Sequence, residues 1–270
     1  MSAPHARAEG APDMSRFREL FTGSVPPYLQ RFVKGVGRTV NKFDMIPAGS
    51  STLLSISGGK DSLVLALALS LRRRWMPVSY ELTAAMVEWR EHPLSDLQRA
   101  ALEEYFDAIR VPFKTIRASM FPESFDGKFN CYLCARNRKR VLFDELRETG
   151  VNRIAVGHHL DDIAETTLIN ISMRGSFSTM MPVQPFFGGK VTMIRPMAET
   201  PEEKVLSVHE QLQLPAVTID CPYRKTNIRS NLKPIIRELS RLNKRARQNI
   251  FRAGWNIDHE YVPGLASDAD

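Results

Sequence analysis

The chain has 270 residues, 43% apolar and 25% charged, the balance of a globular protein long enough to bury a core of its own. No apolar run is long enough to span a bilayer and the first twenty residues carry no signal-type apolar core, so no membrane partner and a cytoplasmic location are expected. The net charge is +7, and its distribution carries more information than its size. Between Cys221 and Arg252 stand ten basic residues (Arg224, Lys225, Arg229, Lys233, Arg237, Arg241, Lys244, Arg245, Arg247 and Arg252) against one acid, Glu238. A solvated helix face normally mixes both signs, so this one-sided run points to a polyanionic partner.

In chain order, residues 1–13 are rich in Ala, Pro and Gly without periodicity, and a disordered tail is expected there. Apolar residues at helical spacing between Met14 and Met45 (Phe17, Leu20, Phe21; then Tyr28, Phe32, Val36, Val40) predict two short amphipathic helices broken near Pro26-Pro27. This segment serves either a homodimer contact or the cover of one side of the core. Ser51 to Ile56 reads as a first strand, followed by a helix to about Arg74 with Leu63, Leu67 and Leu71 on one stripe. A second strand is predicted over Val78 to Val87, a second helix over Leu94 to Arg110 with Leu97, Ala101, Leu102 and Phe106 inward, and a third strand over Phe113 to Ala118. A loop from Ser119 to Asn130 leads into a basic helix ending near Gly150, then a short strand, Arg153 to Val156. Next come a helix from about Asp161 to Met173, a loop through Gly175 to Pro185, and a strand within Val191 to Arg195. Thr200-Pro201-Glu202-Glu203 starts another helix, with proline in the first turn and acids at the positive end. From Cys221 the remainder is basic and mostly helical. The alternation implies an α/β fold with a doubly wound parallel sheet, whose ligand lies at the carboxyl ends of the strands.

The stretch with the most chemistry is Ser57-Gly58-Gly59-Lys60-Asp61-Ser62, where the first strand stops and turns at once into a helix. Unpaired backbone N–H groups and the positive helix end converge at such a turn and favour an anion. Gly58 and Gly59 let a phosphate approach the backbone, Ser57 and Ser62 add hydroxyl donors, and Lys60 adds charge. Asp61 beside a phosphate is repulsive unless a cation such as Mg²⁺ sits between them. The spacing is neither the G-x-x-x-x-G-K-[ST] loop nor G-x-G-x-x-G, and the S-G-G tripeptide alone is equally an ordinary strand-to-helix turn. The fourth strand runs into a second glycine turn, Gly157-His158-His159-Leu160-Asp161-Asp162. Its histidines serve either capping and packing or a proton transfer.

Cys131 and Cys134 lie one helical turn apart, close enough for two thiolates to share one metal centre. The pair alone does not separate a zinc knuckle from a redox dithiol. The third cysteine, Cys221, falls at an apolar-to-turn junction like the end of a further strand. If that strand joins the sheet, three thiolates meet, a set suited to a cubane cluster with one iron left open. An odd, sparse set of three argues against a disulfide framework.

The hexapeptide, after a strand and before a helix, resembles the PP-loop of the ATP pyrophosphatase superfamily (adenine nucleotide alpha hydrolase-like, Rossmann-like). With C-x-x-C on a basic helix, G-H-H-x-D-D, and a lone late cysteine, the chain resembles the TtcA/TtuA group of tRNA thiolases, and most of all the tRNA 2-thiocytidine synthetase family (TtcA), over roughly Phe17 to Arg247. The resemblance implies adenylation of the C2 oxygen of a pyrimidine in tRNA, cytidine in the anticodon loop, and its replacement by sulfur with release of AMP and pyrophosphate. It implies a [4Fe-4S] cluster on Cys131, Cys134 and Cys221; ATP on Ser57 to Ser62, Gly157 and His158; and Mg²⁺ on Asp61 with Asp161 or Asp162. Arg138 and Lys139 would neutralise the phosphate or orient the base, a solvated helix face being the other reading of both. A sulfur donor, a cysteine desulfurase persulfide or sulfide, is a further implied partner. On this reading residues 14–46 form a helical appendage, 47–222 the PP-loop domain, and 223–270 a basic tRNA-binding segment. One departure stands out: thiocytidine enzymes often carry a second cysteine just after the third ligand, where this chain has Arg224. The terminal zinc fingers of 2-thiouridine enzymes do not occur in this sequence. The alternatives are a 2-thiouridine synthetase of the same group, a PP-loop ATPase acting on a small molecule or sulfur carrier with zinc at the cysteines, and a nucleic-acid-binding module with a vestigial ATP site.

Overall fold

A computed structural model describes residues 13–76, 79–121, 130–217, 228–258 and 260. Two helices, α1 (Ser15–Thr22) and α2 (Pro27–Lys42), precede β1 (Ser51–Ile56), α3 (Lys60–Arg72), β2 (Glu81–Trp89), α4 (Asp96–Ala108) and β3 (Phe113–Ala118). There follow α5 (Cys131–Thr149), β4 (Arg153–Ala155), α6 (Leu160–Arg174), β5 (Val183–Phe186), β6 (Val191–Ile194), α7 (Glu202–Leu212), α8 (Ile228–Leu242) and α9 (Ala246–Arg252). The chain divides into two units, Met1–His159 with Pro182–Lys225, and Leu160–Met181 with Thr226–Asp270.

The first unit is built on a six-stranded sheet in the order β3-β2-β1-β4-β6-β5. All neighbours run parallel except β5, which pairs antiparallel with β6. From β1 the chain steps outward through β2 to β3 and then returns to the other side of β1 as β4. The carboxyl ends of β1 and β4 therefore flank the topological switch point, where open α/β sheets bind ligands. Successive side chains of each strand point to opposite faces, which separates two cores. Leu54, Ile56, Leu82, Ala84, Met86, Ala155 and Ile194 join one core with residues of α1, α2, α3, α4 and α7. Leu53, Ala85, Val87, Ile154 and Met193 join the other with Leu142 and Leu146 of α5.

The apolar stripe expected on α3 is a fully buried cylinder from Ser62 to Arg72, because further helices of the same core cover the side turned away from the sheet. The hydroxyls of Tyr105 and Tyr80 donate to the carbonyls of Leu63 and Leu69, 2.8 and 2.7 Å away. Residues of α1 and α2 (Phe17, Leu20, Leu29, Phe32, Val36, Val40) belong to that core, so their apolar faces are covered from within the chain.

Three expectations need correction. The second strand lies at Glu81–Trp89, later than Val78 to Val87, because a charged residue, Glu88, is buried inside it. Its carboxylate accepts from both Arg99 terminal nitrogens (2.8 and 2.7 Å) and from the Leu94 N–H (3.0 Å). The Arg99 hydrogen bonds hold it down at about 2 against the opposing effect of burial, helped by Leu94 and Arg117. Leu97, expected inward, is 59% exposed; the capping box of Ser95 and Gln98 starts the helix so that Ala101, Leu102, Tyr105 and Phe106 face in. The stretch read as a loop through Pro185 contains β5, hidden from its sequence by a central proline that only an edge strand tolerates.

In the second unit, α6 packs with α8 and α9. Leu232 and Ile236, four apart on α8, are buried, while Arg237 and Arg241 are exposed. The segment after α6 is held by Asn170 Nδ2 donating to the Ser178 carbonyl (2.9 Å) and by the Thr167 and Thr179 hydroxyls at 2.7 Å. No helix among the described residues is long and apolar enough to cross a membrane.

Candidate nucleotide and tRNA-thiolation site

Gly58 takes φ +82°, and a Cβ there would lie 2.4 Å from Val217 Cγ2, so only glycine fits. Its carbonyl accepts the Val217 N–H at 2.9 Å, which ties the loop to the segment after α7. Gly59 caps α3 in an extended conformation and donates to Ser57 Oγ at 3.3 Å. Ser62 is buried; its hydroxyl donates to the Gly59 carbonyl (2.9 Å) and accepts from the Ser57 N–H (3.2 Å). Ser62 therefore spends its one proton on holding the loop shut, and Ser57, whose hydroxyl lies 3.2 Å from it, is the exposed hydroxyl of the pair.

Lys60 and Asp61 form an ion pair at 2.9 Å, and Lys60 also donates to Glu202 of α7 at 3.2 Å. Burial alone would lower the lysine pKa, but the two carboxylates outweigh it and raise it. Glu202 was foreseen only as an acid at a helix start; nothing in its neighbours in the sequence reveals that α7 returns to the loop.

Gly157 follows β4, and a Cβ there would stand 2.9 Å from Ser62 N and 3.0 Å from the Asp61 carbonyl carbon. The second glycine motif is thus pressed on the first turn of α3. His159 Nε2 lies 3.9 Å from Asp61 Oδ1, and His159 bridges to Met197 through its backbone. His158 Nδ1 is 3.4 Å from Arg195 Nε. The other end of the motif lies in the second unit, where Asp161 and Asp162 occupy the first turn of α6. Asp161 is buried and ion-paired with Arg247 of α9, N···O 2.6 Å, with the N–H not aligned on the oxygen.

Cys131 and Cys134 open α5, the first exposed and the second half-buried. Asn130 caps the turn, its side chain accepting the Leu133 N–H at 3.0 Å. One turn on, the Arg138 guanidinium lies 5.8 Å from the Trp89 ring and Lys139 Nζ 5.3 Å from the Phe186 ring. Lys139 is lowered first by desolvation and then by the like charge of Arg195. Cys221, Arg224 and Lys225 lie outside the described residues, and among those described no group of three His, Cys, Asp or Glu residues could hold a metal ion.

A family model described as a PP-loop domain matches residues 31–236. The tRNA-cytidine(32) 2-sulfurtransferase of Geobacter metallireducens is 32% identical over 237 residues, 86% of this chain and 92% of that protein. The protein of the same name from Syntrophotalea carbinolica is 32% identical over 241 residues, 86% of this chain and 91% of its own. Among solved structures, the U34-tRNA thiolase NcsA from Methanococcus maripaludis with its [4Fe-4S] cluster superimposes with a TM-score of 0.70 at 22% identity, covering 90% of this chain and 85% of that one. The chain therefore belongs to the PP-loop family and, within it, to the TtcA/TtuA group of tRNA sulfurtransferases, alongside the TtcA enzymes.

Proposed function

We propose that the protein is an ATP-dependent tRNA 2-sulfurtransferase that converts a cytidine of the anticodon loop, position 32, to 2-thiocytidine in the cytoplasm. The observation that carries this reading is the meeting of the two glycine motifs at the switch point, Gly157 packed on the first turn of α3, in a chain a third identical to enzymes of that name.

The free N–H groups of the first turn of α3 and the exposed Ser57 hydroxyl receive the ATP phosphates. Lys60 turns from Asp61 and Glu202 toward the phosphate as it enters. Asp61, released from the lysine, is the carboxylate available to Mg²⁺, which characteristically takes one or two carboxylates together with phosphate oxygens. The C2 oxygen of the base attacks the α-phosphorus, pyrophosphate leaves, and the oxygen becomes part of an AMP leaving group. Hydrosulfide then adds at C2, the C2–O bond breaks to release AMP, and the sulfur sheds its proton to leave the thiocarbonyl; a persulfide donor would serve in the same way only with a dithiol or other two-electron reductant to cleave its S–S bond. The thiol pair fits an iron–sulfur centre in donor type, spacing and helix-start placement, and Cys221 would complete the ligand set. A [4Fe-4S] cluster bound there supplies a site for sulfur delivery. Arg138 and Lys139, held against Trp89 and Phe186, place positive charge one turn beyond the thiols and steady the anionic groups. Arg241, Lys244 and Arg245, all exposed, grip the tRNA backbone, whereas Arg247 is paired with Asp161. An unstacked loop base reaches such a site without opening a duplex.

Nucleoside mass spectrometry of tRNA from a strain lacking the protein tests the reading. Loss of 2-thiocytidine alone is expected; loss of a 2-thiouridine instead assigns the other branch of the group, and an unchanged nucleoside profile overturns the function.

A further inference from the structure

Arg195 follows β6 and is 5% exposed, a buried cation that the sequence reading did not single out. Its Nη2 donates to Gln184 Oε1 (3.1 Å) and lies 3.4 Å from Met193 Sδ, while its Nε–H donates to Nδ1 of His158 at 3.4 Å. Gln184 is the β5 residue in register with Met193, so the hidden edge strand fixes one end of the guanidinium and the motif histidine meets the other. Burial lowers Arg195 to about 10, which leaves it protonated at neutral pH.

A guanidinium carries five N–H donors and no acceptor. Contact with Nδ1 is favourable only if that nitrogen is bare; an N–H there would set donor against donor. We propose that Arg195 is a positioning residue that fixes the tautomer of His158, so that the histidine meets the nucleotide as a neutral imidazole with its proton on Nε2, a hydrogen-bond donor and not a base. The inference rests on the reading of Gly157-His158 as part of the ATP site. Under it His158 takes up no proton in the reaction and contributes one hydrogen bond to a phosphate oxygen.

The test is nitrogen NMR of the full-length chain, isotope-labelled at histidine, with the His158 signals among the six histidines assigned by their loss in His158→Gln. At neutral pH, Nδ1 is expected in the unprotonated range and Nε2 in the protonated range, and Arg195→Met is expected to move His158 toward the other tautomer. A protonated Nδ1 in the wild-type chain overturns the proposal even if Arg195→Met fails to fold. The second measurement is calorimetric ATP affinity. His158→Ala is expected to weaken binding roughly tenfold, one hydrogen bond to a charged group, and His158→Gln, whose amide N–H stands where Nε2–H stood, to recover most of it. Equal losses in the two variants overturn the donor role. Neither readout depends on sulfur transfer: a correct tautomer with unchanged tRNA nucleosides removes the proposed function and leaves this inference standing, and the reverse result separates them in the other direction.

Discussion

The two motif turns of the first unit, the PP-loop after β1 and the cysteine turn opening α5, are held in opposite ways. The PP-loop is fixed from all sides: Gly58 against Val217, Gly157 against Ser62, the serine hydroxyls against each other, and Lys60 between two carboxylates. The cysteine turn starts at the Asn130 cap, with Cys134 packed at the edge of the second core and the Cys131 thiol exposed. A nucleotide site gains from a rigid cradle, because phosphate stabilisation depends on donors already aimed. Thiols that receive a metal centre gain from access. On that contrast, changes at the loop should cost the fold and changes at the thiols should cost only the chemistry.

The largest loss is expected for Gly58→Ala. A left-handed backbone and an overlap with Val217 together destabilise by roughly 2–4 kcal/mol, visible in urea unfolding, and calorimetric ATP binding is lost. A variant as stable as the parent breaks the contrast at its strongest point.

Next comes Arg99→Met, which strands the buried Glu88 carboxylate behind the loop-bearing strands and is expected to cost roughly 3 kcal/mol at neutral pH. Glu88 titrates at about 2 in the fold against an ordinary value of 4.5, so its stabilisation is complete above 4.5 and is lost as the pH falls through about 2. The stability gap between parent and variant should accordingly narrow on acidification over that window; a gap that widens refutes the assignment.

Glu202→Gln is smaller, about 0.5–1 kcal/mol in stability for one half-exposed ion pair. With one competitor for Lys60 removed, ATP affinity is expected to rise roughly threefold, a gain of under 1 kcal/mol. A tenfold fall would instead assign Glu202 to the metal.

Cys131→Ser and Cys134→Ser are expected to change stability by less than about 0.5 kcal/mol while abolishing tRNA thiolation. A cooperative loss of fold in either would make the thiols structural. The triple change Arg241→Gln, Lys244→Gln and Arg245→Gln should leave both stability and ATP affinity alone. It should weaken tRNA binding and flatten its salt dependence, by roughly 0.7–0.9 in log-log slope for each phosphate contact removed; an unchanged slope removes those residues from the interface.

The local code was legible where one stretch both forms and uses an element. Ser51–Ile56 and Phe113–Ala118 lie where their β-rich runs put them, the helix opened by Cys131 ends at Gly150 in the left-handed conformation its glycine permits, and the hexapeptide sits on the strand-to-helix turn that its glycines require. Strand-helix alternation likewise carried the parallel sheet and the place of the loop at a strand's carboxyl end, since parallel neighbours need covered crossovers. What the sequence could not carry were contacts between residues far apart in it. Glu202 reaches Lys60 only because α7 packs on α3, Arg195 reaches His158 only because β6 lies beside β4, and Gln184 joins them only because an edge strand admits Pro185. A helix start, a strand end and a proline-bearing loop are what those segments look like alone. Their side chains acquire a role when the sheet order sets three crossings side by side, and that order is decided by burial across the whole unit and not by any one segment.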